Sequence, residues 1–173
     1  MPMFTNQQID LETLPTIDDI VFKPISKRYL KIIVLNRSLF YSLLFSALII
    51  AKFMVEAVNF HLVFWYVLWG VVLVCIIDVV ITVLAFKKRK YAIREQDVIY
   101  SKGLLVNSIS AVPISRIQHL EISRSWLARK FNLATLKIFT AGESGIDLSI
   151  DGLNYDEAKQ INDFLSGKVN GTN

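Results

Sequence analysis

Residues 62–86 read LVFWYVLWGVVLVCIIDVVITVLAF, twenty-five positions in which Asp78 is the sole charge. At 1.5 Å per residue a helix of this length exceeds the roughly 30 Å of a bilayer's hydrocarbon core. Immediately upstream, residues 38–58 read SLFYSLLFSALIIAKFMVEAV, apolar apart from Lys52 and Glu56 and again long enough to cross. A chain of 173 residues cannot wrap two such helices on all sides as buried core. The expectation is a transmembrane α-hairpin, about 38–58 and 62–86. A cleaved signal peptide fits poorly, because the first run follows a polar, acidic segment and no small-residue cleavage site comes after it.

The flanks set the orientation. Lys23, Lys27, Arg28, Lys31 and Arg37 precede the first run, Lys87, Lys88, Arg89 and Lys90 follow the second, and the connection 59–62 has no Lys or Arg. Positive charge stays on the inner side, so both termini are expected in the cytoplasm and Trp65, Tyr66 and Trp69 at the outer interface. Lys52 and Glu56, one helical turn apart near that outer end, can pair or snorkel to headgroups.

Composition agrees and removes other classes. The chain is 53% hydrophobic and 20% charged, with mean hydropathy +0.45 and only seven Gly and four Pro, which excludes disorder. Cys75 is the single cysteine and His61 and His119 are far apart, so neither a disulfide scaffold nor a metal site is expected. Net charge is +4, yet after Lys90 nine Lys/Arg balance nine Asp/Glu. The excess is juxtamembrane, and nucleic acid is not an expected partner.

Asp78 stands about 13 Å in from Lys87 and so well inside the membrane. An intramembrane carboxyl is a functional hypothesis by default. In an antiparallel hairpin its level falls near Tyr41, Ser42 and Ser46 of the first span, making Tyr41 and Ser42 candidate hydrogen-bond donors and Arg37 a candidate counter-ion. Two roles stay open: gluing the hairpin or a complex, or taking part in conduction.

Beyond the basic run the pattern shortens to alternating stretches at Tyr91–Arg94, Val98–Ser101, Leu104–Val112, Gln118–Ser123, Ala134–Thr140 and Ile146–Ile150. They predict a small sandwich or partly closed barrel. A helix follows, with Asn154 and Glu157 in a capping arrangement, Tyr155, Ala158, Ile161 and Leu165 on one face, and Gly167 as the stop. The fold class is therefore a two-helix membrane hairpin plus an α+β domain. Its segments are 1–37, the hairpin at 38–86 and the domain at 87–173.

The run Val112-Pro113-Ile114-Ser115-Arg116-Ile117-Gln118-His119-Leu120-Glu121-Ile122, followed by Leu127, Phe131 to Leu136, Ile138, Thr140, Ala141 and Gly142, resembles the signature of the bacterial pleckstrin-homology family of the YdbS-like kind. Phe22 to Tyr29, ahead of the two spans, is similar to that family's lead-in segment. The resemblance implies a pleckstrin-homology-like bent sandwich capped by a C-terminal helix, no enzymatic activity and no cofactor. It also implies a larger family member with more spans as partner, and for some relatives a role in envelope resistance to membrane-active compounds. Two positions depart from the family pattern: Ser125-Trp126 replaces a frequent Gly-Pro, and Asn132 stands where Gly often follows Phe131. Asn tolerates the left-handed backbone that such a turn requires.

Three groups outside the membrane are candidates for function. Lys87, Lys88, Arg89, Lys90 and Arg94 can meet anionic headgroups or simply hold the span in place. Pro113, Ser115, Arg116, Gln118 and His119 form the family-motif turn, expected to be hydrogen-bonded with Ile117 and Leu120 facing the core. A Ser-His catalytic reading fails because Ser115 precedes the strand that would carry His119. Trp126, Arg129 and Lys130 are a candidate partner surface, with Leu127 and Phe131 beneath them in the core. The leading expectation is a membrane-tethered interaction module in the bacterial cytoplasmic membrane, bound to a family member or to further copies of itself. The alternative is a small transport or conduction subunit built around Asp78.

Overall fold

The computed structural model describes residues 20–55, 58–104, 106–141 and 146–171. The acidic residues Asp10, Glu12, Asp18 and Asp19, the Glu56 expected beside Lys52, and Gly142 of the family motif lie outside them. In chain order the elements are β1 (Lys23–Pro24), α1 (Lys27–Met54), α2 (Val58–Lys87), β2 (Lys90–Ile93), β3 (Asp97–Lys102), β4 (Ser108–Pro113), β5 (Ile117–Ser123), α3 (Trp126–Lys130), β6 (Leu133–Thr140), β7 (Ile146–Asn154) and α4 (Tyr155–Asn170).

Both long helices are apolar enough to cross a membrane. They start earlier than the apolar runs do. Ser26 caps α1, its hydroxyl accepting from the Arg28 amide at 3.4 Å, so the helix begins at Lys27 rather than at 38. The connection expected at 59–62 is instead the first turn of α2. Arg37 thus lies inside α1, not ahead of it. Leu39, Leu43, Leu73, Val74 and Ile76 point outward, as side chains do when lipid is the solvent.

The remaining strands form two antiparallel sheets, ordered β1-β2-β3-β4 and β5-β6-β7. Alternation decides their faces: His119 and Glu121 share the outer face of β5, while Leu120 and Ile122 pack toward the core with Leu136, Ile138, Leu148 and Ile150. Helix α4 covers the sandwich with Ala158 and Leu165, both fully buried. This is the expected architecture of a hairpin and a small sandwich capped by a C-terminal helix.

Several local expectations change. The strand expected at 104–112 is shorter, because Gly103 at φ +114 turns the chain so tightly that a Cβ there would meet the Val106 carbonyl at 1.9 Å. The last strand continues past Ile150 to Asn154, paired to β6 as far as Leu133. Asn154 does precede α4, but its side chain makes no capping bond. Helix α4 runs through Gly167 to Asn170, since Val169 still packs on the core and this burial outweighs the roughly 1 kcal/mol helix penalty of glycine. Asn132 adopts φ 54, the left-handed turn expected of it. Ser125 accepts from the Ala128 amide at 3.2 Å, so where the family has a rigid turn this chain builds the one-turn helix α3.

The sandwich draws residues from both sides of the hairpin. Lys23 and Pro24 pair with Tyr91 and Lys90, adding β1 to the sheet edge, and Ile25 enters the core beside Phe86 from the end of α2. The Ser26 amide donates to the Gly152 carbonyl at 3.0 Å. Gly152, at φ +77, lies flat against Tyr29, where a Cβ would approach the ring to 2.5 Å. Tyr29, Leu30 and Ile33 pack on the same core, so the first turns of α1 are sheathed by the domain.

Candidate functional site

Three places bring functional side chains together: inside the hairpin, at its junction with the sandwich, and in a cleft between β1 and α4.

Within the hairpin, Arg37 and Tyr41 are four residues apart and so share one face of α1. That face meets Asp78 of α2. The Arg37 guanidinium lies 3.5 Å from Asp78 Oδ2, and the buried Tyr41 lines a groove beside Arg37. Asp78 Oδ2 itself is buried without a hydrogen bond of good geometry. Ser42 lines the groove beside Arg37 and Tyr41, and its carbonyl accepts from the Ser46 hydroxyl at 2.8 Å. This groove, of about 360 Å³, opens between the helices and is lined also by Val34, Ser38, Phe45, Cys75 and Val79. Opposite charges held this close cancel as seen from lipid, so apolar surface continues on both sides of the pair. At the far end of the hairpin the Lys52 ammonium stands over the rings of Trp65 and Phe64, 4.8 and 5.0 Å from their centroids. Trp65, Tyr66 and Trp69 are exposed on α2.

At the junction the basic residues divide. Arg89 stacks over Tyr29 and Lys90 lies 4.2 Å from the Phe22 ring centroid. Arg94 is committed to Asp97 across the β2–β3 turn, its Nε donating to Oδ1 at 2.6 Å. Lys87 ends α2 and Lys88 follows it, both exposed. Of the five candidate headgroup contacts, three therefore already serve the fold.

The family-motif turn holds structure together. Ile114 to Arg116 form a 3₁₀ turn after Pro113; the Ile114 amide donates to Gln96 and the Arg116 carbonyl accepts from Ala141. A bulge between Ile117 and His119 sets Gln118 out of register. The His119 ring stacks on Phe139 with centroids 4.1 Å apart, and Ser115 is not among its neighbours along the strand. On α3, Trp126 is exposed with the Lys130 ammonium 5.9 Å from its ring, and Arg129 is exposed beside it. Leu127 and Phe131, expected in the core, are only half-buried. A one-turn helix has too little length to submerge both.

Sequence reasoning missed the cleft between β1 and α4. It measures about 510 Å³ and is lined by Phe22, Lys23, Tyr91, Ile93, Glu157 and Gln160 among others. Glu157, expected to cap α4, instead forms an ion pair with Lys23. Tyr91 buries its hydroxyl toward Glu157 without a good hydrogen bond. Burial first, then the Glu157 carboxylate, pushes this phenol far above its ordinary range. No local pattern announced the cleft, because Lys23 and Glu157 are distant in sequence.

The family model described as Bacterial PH domain matches residues 43–169. The UPF0699 transmembrane protein YdbS of Bacillus subtilis (strain 168) is 32% identical over 127 residues, covering 69% of this chain and 76% of that protein. No solved structure matches.

Proposed function

This chain belongs to the bacterial PH domain family and has a transmembrane relative, and on that premise we propose that it is a non-catalytic scaffold. Its hairpin anchors a pleckstrin-homology-like platform at the inner face of the bacterial cytoplasmic membrane, with both termini in the cytoplasm. Its partner is a larger membrane protein of the same family or a further copy of itself, and the complex serves envelope resistance to membrane-active compounds. The observation that carries this reading is the clamp: β1, Ile25, Tyr29 and Phe86 build the ends of both helices into the sandwich core. A platform fixed in this way holds its docking surfaces at a set angle to the bilayer, as assembly with another membrane protein requires. The basic flanks around Lys27 and Lys87 support the inward orientation.

A second reading, a conduction subunit, rests on Asp78 in the span. Arg37 opposes it as counter-ion, which favours gluing over ion passage. Purification in mild detergent, with and without Asp78→Asn, separates the two. The scaffold reading expects a family member or a second copy to co-purify with the native chain and to be lost from the variant. Intact assembly combined with lost ion flux would establish conduction instead. A reporter fused after Asn173 tests the orientation and should be active only inside the cell.

A further inference from the structure

Helix α3 packs against α1, whose contacts with the sandwich core come from its first turns. Tyr29, Leu30 and Ile33 of α1 are covered by the domain, whereas the next residues, Val34 and Leu35, are exposed and apolar. Within one turn, α1 passes from protein to lipid. An element lying beside those turns therefore lies at the height of the headgroups.

Trp126 on α3 is 68% exposed, the most exposed aromatic ring of the described sandwich. An indole has an apolar body and one polar N–H, which is why tryptophan collects at bilayer surfaces. The charges carried by α3 and by the sandwich-side ends of α1 and α2 have one sign. Lys27, Arg28 and Lys31 on α1, Lys87 and Lys88 at the end of α2, and Arg129 and Lys130 on α3 are all exposed or terminal, and no Asp or Glu occurs between Ile122 and Ala141. Glu121, the acid that precedes this stretch, pairs with Lys137, and Asp151 accepts from Thr135 and Ser149.

We propose that α3 is a second membrane contact, with Trp126 seated among the headgroups of the bilayer that α1 and α2 cross and Arg129 and Lys130 paired with phosphates of anionic lipid. The contact rests on the reading that the hairpin spans and that the clamp holds the sandwich at its end. It adds a second point of attachment, so the angle that the clamp sets is held at two places. Each basic residue near an anionic surface contributes about 1 kcal/mol, equivalent to about a fivefold change in lipid preference.

The test uses the full chain in nanodiscs, carrying Trp65→Phe and Trp69→Phe so that Trp126 is the sole tryptophan. Discs are made of phosphatidylcholine alone or with added phosphatidylglycerol, and lipids brominated near the headgroup serve as quenchers. A fluorescent label at Lys31→Cys in a Cys75→Ser background reports the depth of α1 in the same discs. The expected result is blue-shifted, quenched Trp126 emission that strengthens with phosphatidylglycerol. In Arg129→Gln/Lys130→Gln the phosphatidylglycerol needed for half the effect should rise by roughly fivefold for each charge removed, with circular dichroism unchanged. Water-exposed, unquenched Trp126 beside a quenched label at position 31 overturns the anchor alone. If neither is quenched, the spanning reading falls with it. Shielding of Trp126 that requires addition of a second family protein overturns the lipid assignment in favour of a protein partner.

Discussion

Leu73 and Leu136 are the same residue type in one chain, yet Leu73 is 58% exposed and Leu136 not at all. The first lies on α2, the second at the centre of β6. In the hairpin, apolar side chains point away from the protein because lipid is their solvent, and the Arg37–Asp78 pair lies between the helices. The sandwich inverts that rule, with Ile138, Ile150 and Leu165 sealed inside and charges such as Glu121 and Lys137 outside. The hydrophobic effect acts on both, but only the sandwich gains its stability by moving apolar area from water into protein. The hairpin gains its stability from the bilayer and is joined by a few specific contacts.

The largest effect should come from cavities. Leu136→Ala is expected to cost about 4 kcal/mol and Leu73→Ala very little, measured by thermal unfolding in detergent and by limited proteolysis of the sandwich. Equal losses at the two sites would erase the distinction between the regions. Next in size is the charge pair. Arg37→Leu leaves Asp78 without its cation in the span and should cost about 3 kcal/mol, while Arg37→Leu/Asp78→Leu recovers most of it. A double variant no better than the single one would mean that the pair does more than neutralise itself, and membrane insertion yields would show it.

The junction comes third. Gly152→Ala puts a methyl group into the Tyr29 ring and forces an unfavourable φ, at an expected cost of about 2 kcal/mol, seen as new protease sensitivity between Ser26 and Tyr29. Both the hairpin and the sandwich should persist, so what changes is their relative motion.

The smallest effect concerns alkali. Tyr91 is held neutral in the fold by burial and by Glu157, and Tyr100 is pushed up to about 12 by burial. Their stabilisation is intact below pH ~10, where an unfolded tyrosine also stays protonated. Above it the unfolded chain ionises and the folded chain does not, so stability falls as pH rises. Burial raises Tyr29 too, so Tyr91→Phe should remove roughly a third of that slope in melts between about pH 9 and pH 11. An unchanged slope would place the alkaline sensitivity elsewhere.

Much of this was legible from residue order. A 25-residue apolar run has one use in a chain this short, and period-two alternation around Ile138 and Ile150 can bury only one face. The run from Val112 to Ile122 and the lead-in from Phe22 to Tyr29 carried the family. Asp78 announced a partner because a carboxyl in lipid needs one, and the helical repeat pointed to Arg37, its counter-ion, and to Tyr41 and Ser42, which line the groove beside it. What residue order did not reveal depends on contacts distant along the chain. Lys23-Pro24 has no strand signal of its own and becomes a strand only because the edge of β2 lies open beside it. Glu157 satisfies the local rule for capping, yet a lysine more than a hundred positions away holds it. Gly167 satisfies the local rule for a helix stop, yet α4 continues because Val169 has a core to cover. Periodicity and charge are properties of neighbours and fix which segments meet lipid and which meet protein. The clamp between hairpin and sandwich is a property of strangers in sequence, so only the folded arrangement could decide it.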